Sequence, residues 1–134
     1  MGGFKQLTVW KRSRVLTIEL YRVTSGFPQS ESNGLVSQIR RAAVSVAANI
    51  AESCGRHSGR DQVRSYRIAL GSARELESLV LIAGDLQFVN ELRGRGLASA
   101  SIEIQKMLSG LIQHCLQASS AGASVTNSRL KSSV

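Results

Sequence analysis

A chain of 134 residues with 43% hydrophobic side chains forms one domain, able to bury about two thirds of its unfolded surface. That hydrophobic share is globular composition rather than that of a disordered tail, while 4% aromatic residues argue against a β-sandwich or barrel and the single proline leaves long stretches open to helix. Seventeen basic against nine acidic residues leave a net charge of +8, a property that bears on partners rather than on fold.

The first helical pattern runs from about Leu7 to Thr24. Trp10, Ser13, Leu16 or Thr17, Leu20, Tyr21 and Thr24 recur there at the three-and-four spacing of one helix face. Ser25-Gly26-Phe27-Pro28 stops it, since the residue before a proline is barred from helical angles. The second pattern covers about Glu31 to Cys54, with Leu35, Ile39, Ala42, Val46, Asn49 or Ile50, and Ser53 on one stripe. Ala43, Ala47, Ala48 and Ala51 add a small-residue face suited to close approach by neighbours on more than one side, and Gly55 marks the end.

Ser58-Gly59-Arg60-Asp61 resembles a capping box, in which a serine oxygen accepts a free amide and an acid sits in the positive first turn. Tyr66, Ala69, Ala73, Leu76, Val80 and Ala83, broadened by Leu70 and Leu79, extend a third helix to about Leu86. Gly71 and Gly84 lie inside it at about 1 kcal/mol each relative to alanine, which predicts a close helix crossing at each. Gln87 to Gly96 reads as a polar connection. Leu97, Ile104, Leu108, Leu111, Ile112, Cys115 and Leu116 form the fourth helix, ending near Gln117. Residues 1–117 are thus the bundle, and 118–134 a Ser/Ala-rich tail with little order. Short connections between such rods favour an all-α, antiparallel, up-down-up-down four-helix bundle.

Thirteen of the basic residues are arginine and four are lysine. The planar guanidinium makes paired hydrogen bonds to phosphate or carboxylate, so this bias suits phosphate backbones or acidic proteins, although a merely solvated surface is the simpler reading. Arg60, Arg64, Arg67 and Arg74 fall at helical offsets of zero, four, seven and fourteen, on one stripe, with Arg56 and His57 just before them. Lys11, Arg14 and Arg22 form a second row on the first helix. Either row can track phosphates, remain solvated or form intersubunit salt bridges. Recognition-helix, aromatic-sheet and zinc-finger patterns are missing, so any binding is driven by charge and shape rather than base sequence.

The run from Gln38 to Glu52, QIRRAAVSVAANIAE, followed by Gly55-Arg56, resembles the signature of bacterial four-helix-bundle proteins associated with intervening sequences of 23S ribosomal RNA genes. Leu7 with Val9-Trp10, Phe27-Pro28, and Ile68-Ala69-Leu70-Gly71-Ser72 with Glu75-Leu76-Glu77 are supporting blocks. The chain departs from the pattern at Ser53, where glycine usually follows. The resemblance implies a left-handed bundle that assembles into a ring-shaped homo-oligomer, commonly a pentamer, without established enzymatic activity. The family is similar in fold to accessory variability proteins of diversity-generating retroelements, which present a basic surface and bind a reverse transcriptase and nucleic acid.

The signature also has a structural reading. Asn49 lies on the apolar stripe with Glu52 one turn on, and a polar group there needs partners that fix helix register. Arg40, Arg41 and Glu75 are the candidates for a network with Asn49 and Glu52. Cys54-x-x-His57 and His114-Cys115 could in principle supply two ligands each to zinc, but the second pair is consecutive on a helix and diverges by about 100°, which is poor tetrahedral geometry. No metal, cofactor or catalytic set is expected, nor a nucleophile elbow, phosphate loop or di-iron motif. Two cysteines, no leader-like N-terminus and no apolar run of roughly 18 residues lead to the expectation of a reduced, soluble, cytoplasmic protein without a membrane partner. The reading is a non-enzymatic homo-oligomer that binds nucleic acid, RNA favoured, through its arginine rows. The alternative is a scaffold for an acidic protein partner.

Overall fold

The computed structural model describes residues 3–132, with side chains through Ser119. Among the described residues there are four α-helices and no strands: α1 Thr8–Thr24, α2 Leu35–Cys54, α3 Gly59–Asp85 and α4 Glu91–Ser132. Short 3-10 turns at Phe4–Gln6 and Gln29–Glu31 precede α1 and α2. The helices pack as a four-helix bundle. Thr17 reaches the Ala43 carbonyl while Arg40 reaches Thr24, and Ser45 meets Ser72 while Ser53 meets Gln62. Ser101 meets Ala73 while Cys115 meets Gln62. In each pair the residue numbers run in opposite directions. The α3–α4 seam is the most extensive, the α1–α4 seam the slightest, and the backbones of α1 and α3 do not approach one another.

The core follows the apolar periodicity. Leu20, Ile39, Ile50, Leu76, Ile104 and Leu108 are the largest fully buried apolar side chains, drawn from all four helices. Removing each from water contributes about 1.5–3 kcal/mol. Hydroxyls within the core are satisfied locally: Ser13 donates to the Val9 carbonyl at 2.7 Å and Thr24 to the Leu20 carbonyl at 2.7 Å, which removes the cost of burying them. No buried side-chain nitrogen or oxygen lacks a partner among the described residues.

Three local expectations are revised. The connection between α3 and α4 is far shorter than Gln87 to Gly96, because the Asn90 side-chain oxygen accepts the Leu92 amide at 2.8 Å and starts α4 at Glu91. Gly94 is therefore helical rather than a breaker. A side chain there would meet the Val80 carbonyl at 3.4 Å and the Gly84 Cα at 3.7 Å, so Gly94 and Gly84 together form the close crossing. Gly71 marks none, having no atom near the position its Cβ would take. The third revision concerns the end of α4, which continues to Ser132 rather than stopping near Gln117. No proline interrupts residues 118–132, and each added residue closes one more backbone hydrogen bond. Among the described side chains, Cys115 is the last of α4 packed on the core.

The α3 terminus closes tightly. The amide of Phe88 donates to the Ala83 carbonyl and that of Gln87 to the Gly84 carbonyl, both at 3.0 Å, the paired bonds of a Schellman ending. Its left-handed position holds Gln87, at φ 64°, where glycine is the usual occupant. Gln87→Gly is expected to stabilise the fold by about 0.5–1 kcal/mol, seen as a higher midpoint in urea unfolding. Leu108→Ala should cost about 3 kcal/mol, whereas Leu92→Ala, at a position 78% exposed, should change stability by less than about 0.5 kcal/mol.

Candidate nucleic-acid interface

Ion pairs sort the arginines. Arg12 holds Glu103 at 2.5 Å, Arg93 holds Glu19 at 3.0 Å, Arg95 holds Glu91 at 2.6 Å, and Arg56 pairs with Glu52 one turn back. Arg40 is occupied differently. Its Nε donates to the Thr24 hydroxyl at 3.0 Å and its Nη2 to the Tyr21 carbonyl at 3.1 Å, while the guanidinium lies 4.5 Å from the centre of the Tyr21 ring. Arg40 thus ties α2 to the C-terminal turn of α1. Arg14 sits 5.6 Å from the Trp10 ring. Among the described residues, Arg60, Arg64, Arg67 and Arg74 of the α3 row have no ion-pair partner, and all four are exposed.

The α3 row is positioned by the start of its helix. Ser58 is extended, and its hydroxyl accepts the Asp61 amide at 3.1 Å, the serine half of the box read from the sequence. From that cap, Arg60, Arg64 and Arg67 rise along α3 and line a groove of about 890 Å³ against α4. Among the described residues, Val63, Ile68 and Leu116 supply its apolar surface, Ser58 and Ser119 its hydroxyls, and Asp61 its one carboxylate. Arg74 lies further along the same seam, in a second groove of about 520 Å³ with Gln105, Lys106 and Gln113 of α4. The α3 row from Arg60 to Arg74 spans about 21 Å of helix.

Other expected contributors are placed elsewhere. Arg56 is neutralised by Glu52, outside the groove lining. Lys11 lines the α1–α4 seam, where Arg12, Glu19 and Glu103 mix both signs, and Arg22 is exposed in the last turn of α1. Since the backbones of α1 and α3 do not approach one another, the two rows are separate surfaces on one chain. The periodicity of α3 did not reveal the α4 side of the groove. Its only sequence signal was the apolar Leu116 beside Cys115 at the end of the fourth stripe.

A model of the family described as 23S rRNA-intervening sequence protein matches residues 5–110. The chain belongs to that family. A crystal structure of a protein with unknown function from the S23 ribosomal protein family of Bacteroides thetaiotaomicron VPI-5482 superposes with a TM-score of 0.71 at 23% sequence identity. The match covers 78% of this chain and 98% of that one, and at this identity it speaks to fold alone. No curated protein matches the chain.

Within this family fold, the signature run of α2 does not form one network. Asn49 donates to the Ser45 carbonyl at 2.9 Å, and the Ser45 hydroxyl lies 2.8 Å from that of Ser72 on α3. Glu52 turns to Arg56, Arg40 to α1, and Arg41 and Glu75 are exposed. The polar ties between α3 and α4 come instead from Ser101, donating to the Ala73 carbonyl at 2.6 Å, and from Gln105, donating to Glu77 at 2.8 Å. Ser101 falls on the stripe between Leu97 and Ile104, the one signal that pointed to it. Ser53, at the departure from the family pattern, is fully buried, and its hydroxyl donates to the Gln62 carbonyl at 3.2 Å. It joins α2 to the first turn of α3.

Cys54 is exposed and Cys115 half-buried, both as free thiols, and no cluster of three metal-ligating side chains occurs among the described residues. No helix among them is long and apolar enough to cross a membrane. Burial lifts the Tyr66 phenol above its ordinary pKa, opposed in part by the Ser53 hydroxyl, with the two thiols adding to the rise. A pKa higher in the folded than in the unfolded state means that this contribution is intact below about pH 10 and is lost as pH rises through the folded value. Tyr66→Phe should therefore shift the alkaline unfolding midpoint to higher pH, followed by circular dichroism. An unchanged midpoint would assign alkaline unfolding to other groups. Arg40→Ala should cost about 1–2 kcal/mol through the lost bonds to α1, while Arg41→Ala should leave the denaturation midpoint in place.

Proposed function

We propose that the protein is a cytoplasmic, non-enzymatic homo-oligomer that binds nucleic acid, structured RNA favoured, through the α3 arginine row. The observation that carries this reading is the set of unpaired guanidinium groups of Arg60, Arg64 and Arg67, gathered along one groove and continued by Arg74. An arginine already paired with a carboxylate gains little from a phosphate. An unpaired one releases counterions when it meets a phosphate, and affinity then falls steeply with salt. Four other arginines, Arg12, Arg56, Arg93 and Arg95, are paired with Glu103, Glu52, Glu19 and Glu91, and Arg40 is occupied at the end of α1.

Self-association into a ring, a pentamer by family resemblance, would repeat the groove and raise its effective concentration for a long polyanion. Val15, 64% exposed, and Ile18 on α1 support a face for that contact. A second reading, a scaffold for an acidic protein partner, is favoured by Leu81 and Ile82, exposed on the C-terminal half of α3, and by Leu86 just past its end.

A gel-shift series with RNA and with duplex DNA at two salt concentrations separates the readings. Binding that weakens with salt is expected, and an absence of binding at low salt would overturn the proposal. Replacing Arg60, Arg64 and Arg67 together by glutamine should lower the log-log salt slope by about 2–3, with helicity and oligomeric state preserved. Dissociation of the oligomer in that variant would instead make these arginines subunit contacts.

A further inference from the structure

The groove that carries the arginine row is more than a row of charges. Arg60, Arg64 and Arg67 share it with Val63, Ile68 and Leu116, and both Ile68 and Leu116 remain 46% exposed. Against three unpaired guanidinium groups stands the single carboxylate of Asp61. Such a site calls for a ligand that is anionic along its length and apolar on its faces. Two packed helices lie about 8–10 Å apart, so the seam between α3 and α4 is narrow. A duplex meets it only with phosphates, because its bases are stacked inward and paired. That contact would leave Ile68 and Leu116 uncovered.

We infer that the α3–α4 groove is a site for an unpaired stretch of RNA, with phosphates on Arg60, Arg64 and Arg67 and bases laid against Ile68, Leu116 and the guanidinium planes. The inference rests on the nucleic-acid reading above and narrows it to the loops, bulges or ends of a structured RNA. The chemistry is that of single-strand recognition, where splayed bases stack on flat or apolar side chains while a positive groove follows the backbone. Here the flat partners are arginine planes rather than aromatic rings, since no aromatic residue lines the groove among the described residues. Recognition is accordingly tolerant of base identity. Charge complementarity favours this occupant over a purely apolar one, and the exposed leucine and isoleucine favour it over a bare polyphosphate.

The test uses the full chain and three labelled ligands of equal length: a uridine-rich single strand, the duplex it forms with its complement, and a strand of abasic sugar phosphates. Fluorescence anisotropy at fixed low salt should give affinity for the single strand about tenfold above that for the abasic strand and the duplex. Ile68→Ser and Leu116→Ser, both at exposed positions, should remove most of that preference while leaving abasic and duplex binding unchanged. Circular dichroism checks that each variant is folded, and the wild-type comparison of single and abasic strands does not depend on any variant. Equal binding of all three ligands would overturn the inference and leave the phosphate reading standing. A single-strand preference that survives both serine substitutions would also overturn it, by placing the bases elsewhere. Absence of binding to every ligand at low salt would overturn both readings together.

Discussion

The burial of α3 between α2 and α4 is the constraint on which the rest of this structure depends. Ala69, Ala73 and Ala83 are almost wholly buried along α3, with Leu76 and Val80 between them. Small residues at those positions let the flanking helices approach closely, and the Gly84–Gly94 crossing sets their separation at the end near the α3–α4 turn. Polar ties hold both flanks in register, Ser72 toward α2 and the Ala73 carbonyl toward α4. With two flanks occupied, the arginines at 60, 64, 67 and 74 have only the outer face available. The row is exposed because the opposite face of the same helix is committed to the core.

Charge follows from that packing. A bundle whose helices run side by side brings acids of one helix within reach of bases on another, as Glu19 meets Arg93 and Glu103 meets Arg12 across the α1–α4 seam. These exposed pairs are each worth no more than about 1 kcal/mol. Their larger effect is on where positive potential is left over. The α1–α4 seam becomes mixed in sign, while the α3–α4 seam keeps its guanidinium groups free except for one nearby aspartate. Arg40 shows a third fate for a basic residue, closing the C-terminal end of α1, where terminal carbonyls favour a positive charge.

Much of the fold was legible in the chain. The three-and-four spacing placed α1 and α3 within a residue or two, the serine cap of α3 was readable at Ser58, and the apolar stripe of α2 matched the buried Ile39, Ala42, Val46 and Ile50. Local signals failed where one residue has two uses. Gly94 falls in the stretch that reads as a polar connection, yet it sits in α4 against α3, where a Cβ would lie in van der Waals contact with the Val80 carbonyl and the Gly84 Cα. Tyr21 falls on the apolar periodicity of α1, yet it is 41% exposed and stacked under Arg40. Asn49 and Glu52 are one turn apart on α2, yet they turn to different partners.

Residue spacing along the chain was enough to set the class of the fold, the helix faces and the existence of an arginine row on α3. These are set by local periodicity and by backbone chemistry within a few residues, which a linear text contains. Only the tertiary structure decided which cations remain free, because an ion pair such as Arg12 with Glu103 joins residues ninety-one positions apart. It also decided that the row borders a groove rather than an open face. Leu116 and Ser119 border the same groove as Arg60 and Arg64 only because α4 folds back along α3, a juxtaposition that depends on chain reversal and packing rather than on any neighbouring residue.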